Sequence, residues 1–313
     1  MIPLKDNLPT TRFPVMTVAF IVINILVFVW QLTYSNDPEL GQPPYDLDSI
    51  DQSSLEYGAI PYRITHTGEG DCALGPVQAS NGQIELGVVC PGTEEYEEAE
   101  QVVAQAQVPG GGIAPNAGAA PDAAAAGLQI EPLDQAPWFV TLFTSMFMHG
   151  GFLHIAGNLL FLWVFGNNIE DSMGRVKFTA FYLTAGLVAV YSQAALDVDS
   201  TVPTIGASGA VAGVLGAYAL LHPAARVLSL IIIIFFVTLV EVPALLLLGI
   251  WFVLQFVPAL GQVATPEIGG GEGIAYFAHV GGFIFGLATI KLLARRRGPP
   301  EPGLPSVPSA PAV

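Results

Sequence analysis

Apolar residues run through this chain in blocks too long for the core of a small soluble domain. Six stand out, at residues 13–32, 146–165, 176–196, 205–221, 227–260 and 274–294. A helix that crosses a bilayer needs about 17–25 predominantly apolar residues, and five of the blocks have that length. The fifth in order, 227–260, is longer than one crossing needs and short for two crossings with a turn. Glu241 and Pro243 interrupt it, and proline suits the first turn of a helix. The pattern therefore predicts an interfacial or re-entrant piece at 227–240 and a fifth span at 242–257. The expected fold is an all-α membrane protein, a six-transmembrane-helix bundle with a long extracytoplasmic insertion after the first helix.

The first block follows Lys5 and Arg12 and ends in Trp30-Gln31-Leu32. A cleaved signal peptide has a shorter apolar core and small residues at its end, so this block is read as an uncleaved first span. The layout then has a cytoplasmic N-terminus at 1–12, a first helix at 13–33 and an extracytoplasmic loop at 34–137. A core of five helices follows at 138–294, and a Pro-rich, disordered cytoplasmic tail at 295–313. Within the loop, residues 40–92 hold enough Tyr, Ile and Val for a small folded unit. The stretch 108–126 is Pro, Gly and Ala and cannot bury a core, which makes it a linker. Between them Glu94, Glu95, Glu97, Glu98 and Glu100 form an acidic run, read as a solvated, briefly helical face.

Composition agrees with a membrane location: 52% of residues are hydrophobic and 12% charged, against about a quarter charged in soluble domains. The formal net charge of −16 argues against nucleic acid as a partner. Charge placement fixes the expected orientation. With six spans and the N-terminus inside, Lys5, Arg12, Arg175, Lys177, Arg226, Lys291, Arg295, Arg296 and Arg297 are cytoplasmic, leaving Arg63 outside. That is the positive-inside pattern, and a further crossing within 227–260 would break it. A bacterial plasma membrane with both termini cytoplasmic is the expected location. The two cysteines, Cys72 and Cys90, fall in the extracytoplasmic loop, where a disulfide is allowed. Two free thiols are the alternative, and a metal site with His66 a third reading.

Four polar side chains on three spans are expected to meet at one depth, toward the outside. Ser208 lies about a turn below the outer end of the fourth span, His279 as far into the sixth, and His154 and Asn158 share a face of the second. Ionisable groups inside a membrane point to function, although each alone has a packing or interfacial explanation. Together they suit nucleophilic acyl transfer: Ser208 as nucleophile, His279 as its base, and His154 with Asn158 stabilising the oxyanion. No carboxylate lies at the right depth to orient His279, so the site reads as a dyad. Gly206, Gly209 and Gly213 around the serine, with Gly282 and Gly286 on the sixth span, would let these helices touch.

Three motifs resemble the rhomboid family of intramembrane serine proteases. They are Gly206-Ala207-Ser208-Gly209; the run from Ala278-His279 through Gly281-Gly282 to Gly286; and His149-Gly150-Gly151-Phe152-Leu153-His154, continuing to Asn158. Phe165-Gly166-Asn167-Asn168-Ile169-Glu170-Asp171 also resembles the family's loop after the second span. The resemblance covers 138–294 and implies a rhomboid-like bundle that cleaves transmembrane segments of other proteins near their outer ends. It implies the same roles for Ser208, His279, His154 and Asn158, a structural role for His149, and no cofactor. The partners implied are transmembrane protein substrates and the lipid bilayer. The chain departs from the family in its first external loop, which has Trp138-Phe139 where a Trp-Arg pair is usual and carries the insertion. The rival readings are a catalytically silent rhomboid-like protein that binds client helices, and a small-solute transporter.

Overall fold

The computed structural model of the chain describes residues 2–35, 40–41, 47–78, 84–106, 129–233, 236–264 and 274–294. The expected linker at 108–126 and the tail at 295–313 lie outside the described residues. The described chain is mostly helical. Four of its helices are long and apolar enough to cross a membrane by length and composition: α6 (Phe152–Met173), α7 (Arg175–Leu196), α9 (Ala244–Ala264) and α10 (Tyr276–Leu293). Three shorter apolar helical stretches accompany them: α1 (Val15–Gln31), α5 (Trp138–Thr144) with the 3-10 turn that follows it, and α8 (Ser208–Leu221).

Helix α8 is the axis of the bundle. Every residue from Gly209 to Ala219 is buried, as a helix that is apolar all round must be. Glycine brings its neighbours close. Added Cβ atoms at Gly209 and Gly213 would collide with Ala189 and Ala185 of α7, while their carbonyls face Gly282 and Gly286 of α10. Gly216, which the pattern did not single out, faces the backbone of α10 at Phe283. Helix α8 is thus wedged between α7 and α10 with small residues on both sides. Around it Phe20 of α1 stacks on Tyr182 of α7, with ring centroids 4.2 Å apart. Helix α9 is peripheral and leaves Leu245, Leu246, Ile250, Val253 and Leu254 exposed.

The second long helix begins later than the hydropathy pattern predicts. Residues 146–150 are apolar enough to extend it, but Gly151 takes φ +153°, a region costly for other residues. The chain turns there, and α6 starts at Phe152. At the other end of α6, Glu170 completes α1. It accepts from the Met16 and Thr17 amides at 3.0 and 2.8 Å and from Thr17 Oγ1 at 2.9 Å. Pro14 precedes α1 without a side-chain cap, so a carboxylate from another helix satisfies its first-turn donors.

The all-α expectation needs correction, because two three-stranded sheets flank the bundle. At the Leu221 end of α8, β5 (Arg226–Ile233) and β6 (Phe236–Pro243) form an antiparallel hairpin, and β1 (Ile2–Asp6) adds to β5. The piece expected as interfacial or re-entrant is this hairpin. Asp6 is buried beneath it, where Oδ2 accepts from Tyr218 Oη and Asn168 Nδ2, each at 2.6 Å. Burial raises the Asp6 carboxyl above its usual range despite these donors.

The second sheet, order β3-β2-β4, belongs to the unit that follows α1 in the chain. It contains α2 (Ser49–Tyr57), α3 (Pro61–Thr65), β2 (Ala73–Gln78), β3 (Ile84–Val89), α4 (Glu94–Ala106) and β4 (Glu131–Pro132). A disulfide joins Cys72 and Cys90 across the base of the β2–β3 hairpin. The unit extends past residue 92. The acidic run forms the start of α4, whose Ala99 is buried against Ala73 and Val89 while Glu94, Glu97, Glu98 and Glu100 are exposed. Arg63, the one basic residue of the region, is buried, with its guanidinium 2.6 Å from Asp71 and 3.0 Å from the Ala136 carbonyl. The unit is fastened to the bundle by a backbone bridge between Ala59 and Thr204, at 3.1 and 2.8 Å, four residues before Ser208.

Candidate functional site

Ser208 is the first residue of α8, slightly nearer the helix end than expected, where the first-turn amides have no intrahelical acceptors. His279 lies one turn into α10. Close packing of α8 on α10 brings His279 Nε2 to 2.7 Å from Ser208 Oγ. Gly282 makes that approach possible, since a Cβ there would overlap the Gly209 carbonyl. The other ring nitrogen, His279 Nδ1, is 2.7 Å from Oε1 of Gln255. Gln255, on α9, is a residue the sequence reading passed over. A single amide within the apolar run 244–260 was the available signal. Trp251, one turn earlier on α9, places its ring centroid 6.0 Å from that of His279.

Gly206 faces the serine from the preceding loop. It takes φ +123°, and its amide donates to the Ser145 carbonyl at 2.8 Å. A Cβ at this position would lie 2.8 Å from His154 Nε2 and 3.4 Å from Ser208 Oγ. Glycine therefore keeps open the space between the nucleophile and the second histidine. The Gly150 amide donates to His154 Nδ1 at 3.3 Å, which leaves the ring proton on Nε2, directed at that opening. A group within about 3 Å of both Ser208 Oγ and an N–H donor is the geometry acyl transfer requires.

Asn158 stands apart from this cluster. Its side chain is buried, but Nδ2 donates to the His154 carbonyl of its own helix at 3.1 Å. Serving an oxyanion would require that bond to be exchanged. His149 is fully buried, its ring edge-on to those of His154 and Phe28. Burial, with the neighbouring His154, lowers its pKa to about 3, so it is neutral at physiological pH. Cys72 and Cys90 are consumed by their disulfide, and His66 stacks on Tyr62 instead. Among the described residues no cluster of His, Cys, Asp and Glu is arranged to hold a metal ion.

These features define a helical membrane protein with a serine and a histidine hydrogen-bonded inside its bundle. The sequence profile described as "Rhomboid domain" matches residues 137–296, and the chain belongs to the rhomboid family. Relatives include the Rhomboid protease GluP of Bacillus subtilis, 40% identical over 83 residues, which are 26% of this chain and 16% of that protein. Rhomboid protein 1, mitochondrial, of Saccharomyces cerevisiae is 31% identical over 93 residues, 28% of this chain and 27% of its own. The human Presenilin-associated rhomboid-like protein, mitochondrial, is 34% identical over 84 residues, 26% and 22% of the two chains. The matched stretches span about a quarter or less of the length of these relatives.

Proposed function

We propose that the protein is an intramembrane serine endopeptidase that cleaves transmembrane segments of other membrane proteins. The observation that carries this is the 2.7 Å hydrogen bond between Ser208 Oγ and His279 Nε2 beside the opening at Gly206. His279 Nε2 takes the hydroxyl proton as Oγ bonds to the scissile carbonyl carbon. The carbonyl oxygen becomes the oxyanion, held by His154 Nε2–H and, once its amide turns from the His154 carbonyl, by Asn158. The imidazolium then gives its proton to the departing amine, leaving an acyl-enzyme. Water, deprotonated by the same imidazole, releases the second product and restores Ser208.

The proposed topology has six spans: α1, α6, α7, α8, α9 and α10. Both termini and the β1-β5-β6 sheet are cytoplasmic, and the inserted unit and Ser208 face the other side. What supports it is the distribution of lysine and arginine, together with the opposite ends of α8 at which the two sheets sit. The domain layout follows: a cytoplasmic terminus, a first span, an extracytoplasmic loop with the disulfide unit, and a five-helix core. A bacterial plasma membrane is the proposed location; one relative comes from Bacillus subtilis, whereas the yeast and human relatives are named as mitochondrial.

The test is fluorophosphonate labelling of the purified protein in liposomes, paired with cleavage of a reporter carrying one transmembrane helix. Labelling and cleavage lost in both Ser208→Ala and His279→Ala are the expected result. A folded wild-type protein that neither labels nor cleaves refutes the reading and leaves a client-binding protein in its place.

A further inference from the structure

The geometry assigns to Gln255 the positioning of the base: its side-chain carbonyl selects the tautomer of His279 that can accept the proton of Ser208. The inference rests on the hydrolase reading of the site and deepens it. A neutral imidazole carries one proton, on either of two nitrogens. With the proton on Nε2 the ring can only donate to Ser208 Oγ, and it is no base for the serine. With the proton on Nδ1, Nε2 presents a lone pair to the hydroxyl.

Oε1 of Gln255 lies 2.7 Å from Nδ1, on the far side of the ring from the serine. An amide oxygen accepts and cannot donate, so this contact requires Nδ1–H and leaves Nε2 free to accept. The opposite amide orientation would set an NH2 group against Nδ1 and force the unproductive tautomer. When the ring becomes imidazolium, the same oxygen faces the Nδ1–H that now shares the positive charge, and the hydrogen bond strengthens.

The surroundings leave Gln255 in this position. His279 faces Ser208 on α8, His154 on α6, and Gln255 and Trp251 on α9. None of these groups is a carboxylate. A neutral amide suits a site inside a bundle, where an ionised carboxylate carries a large desolvation penalty. It supplies direction and a dipole without a second buried charge. The dyad read from the sequence thus gains a positioning residue, Gln255, with α9 as the third element of the site. Trp251 lies one turn from Gln255 on the same helix and limits the ring from that side.

The experiment compares wild type with Gln255→Met and Gln255→Glu in liposomes, by steady-state cleavage and by nitrogen NMR of 15N-histidine-labelled protein. Methionine keeps the length and removes the acceptor. Loss of a hydrogen bond to a charged ring predicts a kcat about 10- to 100-fold lower, with KM and unfolding temperature near wild type. The neutral His279 ring should report Nδ1–H in wild type and a mixture of tautomers in the methionine variant. Glutamate presents an acceptor oxygen in either protonation state and should retain kcat within a few-fold. An unchanged kcat in Gln255→Met across the pH range, or a wild-type ring protonated on Nε2, overturns the assignment. The NMR reading needs no turnover, so a wild type that never cleaves but shows Nδ1–H refutes the protease and not the role of Gln255.

Discussion

Replacing Gly286 by alanine should disable the site from two turns away. The Cβ would overlap the Gly213 carbonyl oxygen and stand 2.8 Å from the Gly213 carbonyl carbon and 2.9 Å from the Ala217 nitrogen. Non-bonded carbons are comfortable at about 3.5–4.0 Å, and the carbonyl oxygen lies nearer still, so α10 must retreat from α8 by more than about 1 Å. All three atoms are backbone, and no rotamer change can absorb the overlap. The same shift stretches the 2.7 Å contact between His279 and Ser208 past the limit of about 3.2 Å for a good hydrogen bond. Misplacement of that size costs about 100-fold in rate. Stability should change less, because overpacking costs about 1–3 kcal/mol while alanine gains about 1 kcal/mol of helix propensity over glycine. The control is Gly249→Ala on α9, where an added Cβ meets nothing within 4 Å. The assay is the second-order rate of fluorophosphonate labelling, with unfolding temperature measured in the same detergent. A Gly286→Ala protein that labels within twofold of wild type would refute the claim that this contact sets the site.

Glu170→Gln should destabilise the protein by about 1–3 kcal/mol, because α1 loses a charged acceptor for its first-turn donors; hydrogen exchange should rise first at Met16 and Thr17. Asp6→Asn should raise the unfolding temperature at neutral pH. The folded carboxyl is raised above 3.8, so the unfolded chain ionises first as pH rises and stability falls between the two values. An amide oxygen can still accept from Tyr218 and Asn168 without that penalty, and the gain over wild type should vanish below about pH 3.8. Reduction of the Cys72–Cys90 disulfide, which closes 18 positions of chain, should weaken the inserted unit by about 3 kcal/mol. Proteolysis between residues 73 and 89 should quicken as a result, and resistance in reduced protein would mean that the sheet and Ala99 suffice.

The helices and the Ser208–His279 pair were legible because a bilayer filters composition so strongly. Polar groups within long apolar blocks are rare enough to mark themselves, and glycines spaced by four residues mark a close helix contact. The hairpin escaped because strands and buried helices are both written as unbroken apolar runs, which periodicity cannot separate. The β-branched Ile231, Ile232 and Ile233 were the clue, and they pair across the strands at Ile231 with Thr238 and Ile232 with Val237. Gln255 escaped for a different reason: a lone amide has no spacing, and its partner is 24 residues away on another helix. The start of α6 was misjudged because hydropathy does not register the backbone angle of Gly151. Glu170 was quoted within a motif, yet its contact with α1 depends on a helix crossing that no local pattern encodes.

The order in which the chain is made gives the first strand a peculiar history. Its partner strand and Tyr218, whose hydroxyl meets Asp6 across 212 positions, leave the ribosome long after Ile2 and Asp6 do. Until then this edge of the molecule has no place to fold. Residues made well before their partners are therefore among the last to be fastened, and their docking reports that α8 has already been laid down.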